Sequence, residues 1–338
     1  MMDYTGTENL IRLLKIEKIL SPDLRDAINE KATEFFDDLT EDVAYFLSSE
    51  ASDDLDGENQ SEDDIRTLVQ CVPKALSYKD EDGCLPIHNA VYLGGVSFIP
   101  MWIEEGMKHN VGGEGMRGGL LCEDPNSGLS MLQILSYKYN DNSDVCCLDV
   151  IKRLREMGFI EKEDTVEYDL LYGSCNEGCS KRFNYFADWN PSALKVQRDG
   201  RSVLHSCASG SLHANWGIST FQLALSATLR HYPHELGLLL LKNAKGDTPF
   251  QMAKKHFAKE AFWKVIKKCL DESNGSMILE RDPKTNMYPF LSAAAGDTSE
   301  LDLLYYFVRR NPLTLLSEQF NDNTTSSTGI VCSQKRKR

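Results

Sequence analysis

Apolar residues in this chain recur at spacings of three and four, the period of an α-helix with one buried face. Two such stripes are Phe262, Val265, Ile266 and Leu270, and Leu301, Leu304, Tyr305 and Val308. The stripes alternate with shorter apolar segments, most of which open on a turn phrase. These phrases are DGCLPIHNA at 82–90, the weaker NSGLSMLQIL at 126–135, DGRSVLHSCA at 199–208, KGDTPFQMA at 245–253 and NMYPFLSAA at 286–294. Turn, short helix, second turn and longer amphipathic helix, repeated along one chain, predict an all-α stack of helix pairs.

Each phrase has a physical reading. Gly83, Gly200 and Gly246 supply positive φ for a tight turn, and Ser130, Ser202 and Thr248 can cap the helix that follows. Pro86, Pro249 and Pro289 fall in a first helical turn, where a missing amide costs nothing. The turn positions lie 45 residues apart from Gly83 to Gly128, 46 from Gly200 to Gly246, and 40 from Gly246 to Asn286. The step from Gly128 to Gly200 is 72, long enough for a degenerate pair in Glu163 to Cys175 and Lys181 to Leu194. Five units are visible and a sixth is inferred. Proline phrases end several of the longer helices: VPKAL at 72–76, NPSAL at 190–194, YPHEL at 232–236 and NPLTL at 311–315. Proline just past a helix end blocks its continuation.

The expected organisation is an N-terminal helical cap over residues 1–50, built from Asn9 to Leu20 and Asp23 to Ser48. An acidic flexible linker at 51–64 follows, then repeats over 65–320, and a disordered polar tail at 321–338 that ends in a basic cluster. Replacing Gly246 by Val is expected to uncouple the units around it, since a β-branched residue resists positive φ.

The turn glycine followed by Thr248-Pro249 with Ala253, and by Pro86, His88 and Ala90, resembles the ankyrin repeat. The longer phrases KHNVGGEGMRGGLLCED, YDLLYGSC and FADWNPSALK resemble the large, uncharacterised ankyrin-like families expanded in diatoms. The resemblance covers roughly residues 65 to 320 and implies an ankyrin-like α-solenoid that binds protein and catalyses no reaction. Ordinary ankyrin repeats run about 33 residues, whereas these steps are longer, and Gln133, Gln251 and Leu291 replace the histidine kept at His88 and His205. A HEAT-like helical array is therefore the alternative architecture.

Composition fits a folded protein, with 41% hydrophobic and 26% charged residues. A net charge of −14 opposes phosphate backbones, so nucleic acid is not an expected partner. No apolar run is long enough to span a bilayer, and no membrane partner is expected. The N-terminus fits neither a secretory signal nor a transit peptide, and the ten cysteines sit mostly in apolar segments. The expected location is cytoplasmic, or nuclear through Lys335 to Arg338, a basic cluster that an import receptor could grasp. The chain is expected to be monomeric by itself.

Candidate chemistry is sparse. Gly113 to Gly118 spells GxGxxG, but a helix comes first where a dinucleotide site needs a strand. Arg117 in that loop is a candidate contact residue. Cys175 and Cys179 could share zinc, with Cys146, Cys147, His205 and Cys207 as further donors, although the spacing matches no paired motif. Asp199, His205 and Cys207 hold the groups of a nucleophilic site, yet His205 and Cys207 lie two apart on one helix and point differently. An EF-hand register over Ser52 to Asp63 has faults at its first and last ligand positions. The sequence thus assigns no catalytic, cofactor-binding or metal residue, requires no cofactor and leaves the partner-binding residues unknown. It predicts a non-catalytic interaction scaffold, with a nucleotide- or zinc-dependent enzyme using the Gly113–Gly118 loop or Cys175/Cys179 as the alternative.

Overall fold

The structure is a computed structural model that describes residues 21–50, 62–93, 95–137, 143–175, 179–210, 217–273, 288, 291 and 301–310. The terminal basic cluster, Pro289, the 311–315 proline phrase, helix 9–20 and most of the EF-hand register lie outside these residues. The protein is all-α. Among the described residues there is no strand, only isolated bridges at Glu123 with Ser130 and Arg198 with Arg201. The chain divides into two compact units, residues 1–135 with 145–160 and residues 136–144 with 161–338.

In the first unit, α1 (Pro22–Tyr45) continues as a π-helical turn at Phe46–Glu50. Only its end is buried, through Val43, Ala44 and Leu47, while Phe35 and Phe36 are exposed. Helix α2 (Glu62–Cys71) opens three residues before the expected start of the repeats. Glu62, Asp63 and Asp64 form its first turn, where carboxylates meet the positive end of the helix dipole. Glu62 also accepts from Arg66 at 3.2 Å and from Arg153 at 2.9 and 3.0 Å. There follow α3 (Pro86–Leu93), α4 (Ile99–Lys108) and most of α5 (Met131–Tyr137) and of α6 (Ser143–Glu156), whose residues within 136–144 belong to the second unit. Helix α3 packs on α4, and α2 also packs on α4.

The second unit contains α7 (Asp164–Glu167), α8 (Leu170–Gly173), α9 (Ser180–Trp189), α10 (Val203–Ser209), α11 (Ile218–His231), α12 (Pro249–His256), α13 (Lys259–Glu272) and α14 (Leu301–Arg310). Helices α7 to α9 fill the long gap between Gly128 and Gly200. Their turn uses Asp169 at φ +54 where the other units have glycine. Packing follows a rule: α10 lies against α12, α9 against α11 and α11 against α13, while α10 and α11, like α12 and α13, pack within their pairs. Phe183, Phe186, Phe221, Phe250 and Phe262 are fully buried between them, each worth about 1.5–3 kcal/mol. Helix α13 buries Phe262, Val265, Ile266 and Leu270 as its spacing predicts. Helix α14 departs from its pattern. It buries Leu303 and Phe307, while Leu301 and Tyr305 are each 66% exposed, so the expected core stripe is rotated toward solvent.

Local geometry repeats where the phrases repeat. The residues before Pro73, Pro191 and Pro233 share one backbone conformation, Val72 at φ −133 and ψ 66, Asn190 at −130 and 77, and Tyr232 at −131 and 54. Proline disfavours the helical region for its predecessor, which ends α2, α9 and α11 alike. Asp80, Asp124 and Asn243 each turn a side-chain oxygen onto backbone amides two to four residues ahead, at 2.8–3.2 Å. The glycines that close these turns, Gly83, Gly128 and Gly246, have φ of +81, +66 and +87.

His88 and His205 do the same work in different units. Nδ1 of His88 accepts from the Leu85 amide at 3.2 Å and its Nε2 faces the Cys122 carbonyl at 3.3 Å. Nδ1 of His205 accepts from the Ser202 amide at 3.2 Å, and its Nε2 faces the Leu241 carbonyl at 2.9 Å. Each imidazole caps its own helix and braces the entry to the next turn, two residues before Asp124 or Asn243. Gln133 and Gln251 keep the capping half, their Oε1 accepting from the Ser130 and Thr248 amides at 2.9 and 3.2 Å.

Burial lowers the affinity of both imidazoles for a proton, more than the carbonyl bonds raise it. Their folded values lie below the unfolded one, so the stability they contribute is complete above the ordinary imidazole range and is lost as pH falls through it. Between about pH 7.5 and 5.5 the wild-type melting temperature should fall more than that of the His88→Gln/His205→Gln double variant. Equal slopes in a thermal unfolding series would contradict the brace. At pH 7.5 each single change should cost about 1–2 kcal/mol through the orphaned carbonyl.

Candidate functional site

The site that the packing builds is a cleft in the second unit, of about 560 Å³, lined by Val166, Asp169, Tyr172, Arg198, Ser206 and Lys245 among others. Its wall on one side is the α7–α8 corner. Its other side is the turn at 198–201 and the first residues of α10. Asp199 at φ +49 and Gly200 at +72 make a two-residue turn, closed by paired amide–carbonyl bonds between Arg198 and Arg201 at 2.8 and 2.9 Å. That turn aims Arg198 at the preceding pair. Its Nη1 meets the Asp169 carboxylate at 2.5 Å, and its Nη2 donates to the Val166 and Glu167 carbonyls at 2.7 Å. Burial raises Asp169, and the Arg198 guanidinium opposes the rise. The Tyr172 hydroxyl, shared with Ser206, is also raised by burial. Val196 and Lys245 stand exposed at the cleft edge. Chemically the cleft gathers the guanidiniums of Arg198 and Arg201, the carboxylates of Asp169 and Asp199, the hydroxyls of Thr165, Tyr172 and Ser206 and the Lys245 ammonium beside apolar side chains.

Of the residues singled out from sequence, Asp199 lines this cleft and the others land elsewhere. Gly113–Gly118 follows α4 directly and folds back on it, with the Val111 amide on the Gly106 carbonyl at 2.9 Å. Gly118 crosses Gly106 so closely that a Cβ on either would meet the other segment's backbone at 2.4 Å. These two glycines serve packing. Gly113 and Gly115 face open space. Arg117, the candidate contact residue, is half-buried, its Nη1 donating to the Phe159 carbonyl at 3.1 Å.

Cys175 and Cys179 have separate partners. Cys175 Sγ lies 2.9 Å from Cys207 Sγ, both fully buried, and its thiol is raised well above the ordinary range by burial and by Cys207. Cys179 Sγ accepts from Arg182 Nη2 at 2.8 Å. Cys147 is buried and Cys146 exposed, both on α6. His205 has both nitrogens committed to its brace, and Asp199 sits in the turn, so the three groups of the nucleophile pattern do not converge.

One metal-capable group among the described residues joins Cys84, His88 and Asp124, whose donor atoms lie within 4.8 Å of one another. All three are buried and already bonded. Asp124 accepts from Ser127, Asn126, Tyr92 and Cys84, and these bonds bring its carboxyl down to about 2 although burial opposes them. Burial and the Asp124 bond push the Cys84 thiol up to about 12. The cluster is a turn lock that ties α3 to the following turn, and metal could enter only by breaking it. Sequence reading missed Asp80, Asp124 and Asn243. Their signal was an Asp or Asn three or four residues before each turn glycine.

No family model, no curated protein and no solved structure matches the chain. No described helix is long and apolar enough to cross a membrane.

Proposed function

We propose that the protein is a non-catalytic interaction scaffold of ankyrin-like helix pairs, offering its turns and first helices to a protein partner. The observation that carries this reading is the histidine brace. An imidazole that caps one helix while holding the entry to the next turn makes successive turns a fixed row, and a fixed row of turns is what a stacked-repeat protein presents to its partners. The 560 Å³ cleft between the α7–α8 corner and the 198–201 turn supplies polar anchors on that row. The cytoplasm, or the nucleus if Lys335 to Arg338 are read there, is the setting this function expects.

The test uses exposed positions at the cleft edge. Val196→Asp with Lys245→Glu should leave the unfolding temperature within a few degrees of wild type and lower retention of the co-purifying polypeptide at least tenfold. Undiminished retention in a native mass spectrum would remove the cleft as the partner surface.

A further inference from the structure

Resting on the scaffold reading, we infer that the groove between α13 and α14 binds an acidic, apolar-bearing peptide segment of a partner protein. The groove, about 520 Å³, is lined by Lys259, Trp263, Lys267, Tyr305, Tyr306 and Arg309, together with Asp271, Asp302 and Arg310. On α13 the lining residues Lys259, Trp263, Lys267 and Asp271 are spaced by four, which puts them in one row along the helix.

Charge accounting defines the occupant. Both carboxylates of the groove are already paired, Asp302 with Lys254 at 2.8 Å and Asp271 with Arg310 and with the Tyr306 hydroxyl at 2.7 Å. Lys254 and then Lys259 hold the Asp302 carboxyl below its ordinary range. Lys267 and Arg309 are exposed and have no carboxylate partner among the described residues. In a chain of net charge −14, two unpaired cations beside a third form a local excess of the opposite sign. They would form charge-assisted bonds with carboxylates.

The groove also has an apolar component. Trp263 is half-buried, its ring set edge-on to Phe250 and Phe262 at 6.0 and 5.5 Å, so its plane is fixed before anything binds. On α14 the lining residue Tyr305 is 66% exposed, and Tyr306 beside it donates its hydroxyl to Asp271. Fixed aromatic plates accept apolar side chains at little entropic cost. A peptide that alternates carboxylates with Leu or Phe satisfies both halves. A nucleic-acid strand would satisfy the plates and the cations, but beyond the groove it would run over a strongly acidic chain.

The probe is the fluorescein-labelled peptide Glu-Glu-Leu-Phe-Glu-Glu-Leu, titrated with the full chain and read by fluorescence anisotropy. Lys267→Glu with Arg309→Glu should weaken binding at least tenfold, whereas Lys264→Glu, exposed on the same helix but off the row, should change it less than twofold. Both sites are exposed and have no carboxylate partner among the described residues, so circular dichroism should report an unchanged fold. Binding that is absent in the wild type, equal in the double variant, or weaker than that of a labelled oligothymidylate would overturn the assignment. A wild-type chain that carries a stoichiometric polypeptide from its own cells but does not bind the peptide would overturn the groove assignment and leave the scaffold reading standing.

Discussion

Replacing Asp144 by Ala should lower the unfolding free energy by about 3–5 kcal/mol. Asp144 stands at the start of α6 and reaches the first turn of α9. Its carboxylate accepts from the Lys181 amide at 2.8 Å, the Arg182 amide at 3.3 Å and Arg182 Nε at 2.9 Å. The Arg182 side chain is fully buried and Asp144 is 16% exposed. Removing the acid therefore takes the carboxylate away from a buried guanidinium and strips α9 of its cap. The Cys179 sulfur, 2.8 Å from Arg182 Nη2, is too weak an acceptor to replace a carboxylate. Removing both charges together should restore much of the loss, because a methionine fills the same space without a charge to solvate. Urea unfolding of Asp144→Ala and of Asp144→Ala/Arg182→Met is the measurement. A single variant as stable as wild type, or a double variant worse than the single, would contradict this account.

Gly200→Val is expected to cost about 2–5 kcal/mol, from backbone strain of roughly 1–2 kcal/mol and overpacking of about 1–3 kcal/mol. Gly200 has φ of +72, and a Cβ there would stand 2.3 Å from the Ala244 Cβ and 3.1 Å from its amide nitrogen. The Gly200 carbonyl accepts from that same amide at 3.1 Å, so the turn of one unit touches the turn of the next through this glycine. Gly246, the position that the sequence nominates for uncoupling, has φ of +87 and open space where a Cβ would lie. Gly246→Val should thus cost only the strain, about 1–2 kcal/mol. Thermal unfolding of the two variants side by side should rank Gly200→Val well below Gly246→Val, and the reverse order would refute the turn-to-turn contact.

The contrast between those glycines shows where sequence reading stops. Periodicity and punctuation place most helices, because capping, proline and positive φ are local properties of a few residues. The pair hidden between Gly128 and Gly200 is legible for the same reason, even with Asp169 in place of a turn glycine. What a residue meets across elements is not local. The Gly200 contact with Ala244, the Cys175 contact with Cys207 and the Gly118 crossing of Gly106 all depend on how one element settles on another. Helix α14 is an intermediate case. Its period of three and four is plain, but Leu301, Leu304, Tyr305 and Val308 and the pair Leu303 and Phe307 both fit a helical stripe. Packing chooses between them and buries Leu303 and Phe307. The turn residues Asp80, Asp124 and Asn243 could have been found, since each sits three or four positions before its glycine. The cleft could not, because Asp169 and Arg198 meet only when the α7–α8 corner and the 198–201 turn are packed together.

If this row of braced turns holds another protein, a native mass spectrum of the chain purified gently from its own cells will show it most directly. The expected result is a stoichiometric second polypeptide, lost in the Val196→Asp/Lys245→Glu variant. A chain that instead retains a nucleotide or one zinc ion, with no polypeptide, would contradict the scaffold and favour an enzyme.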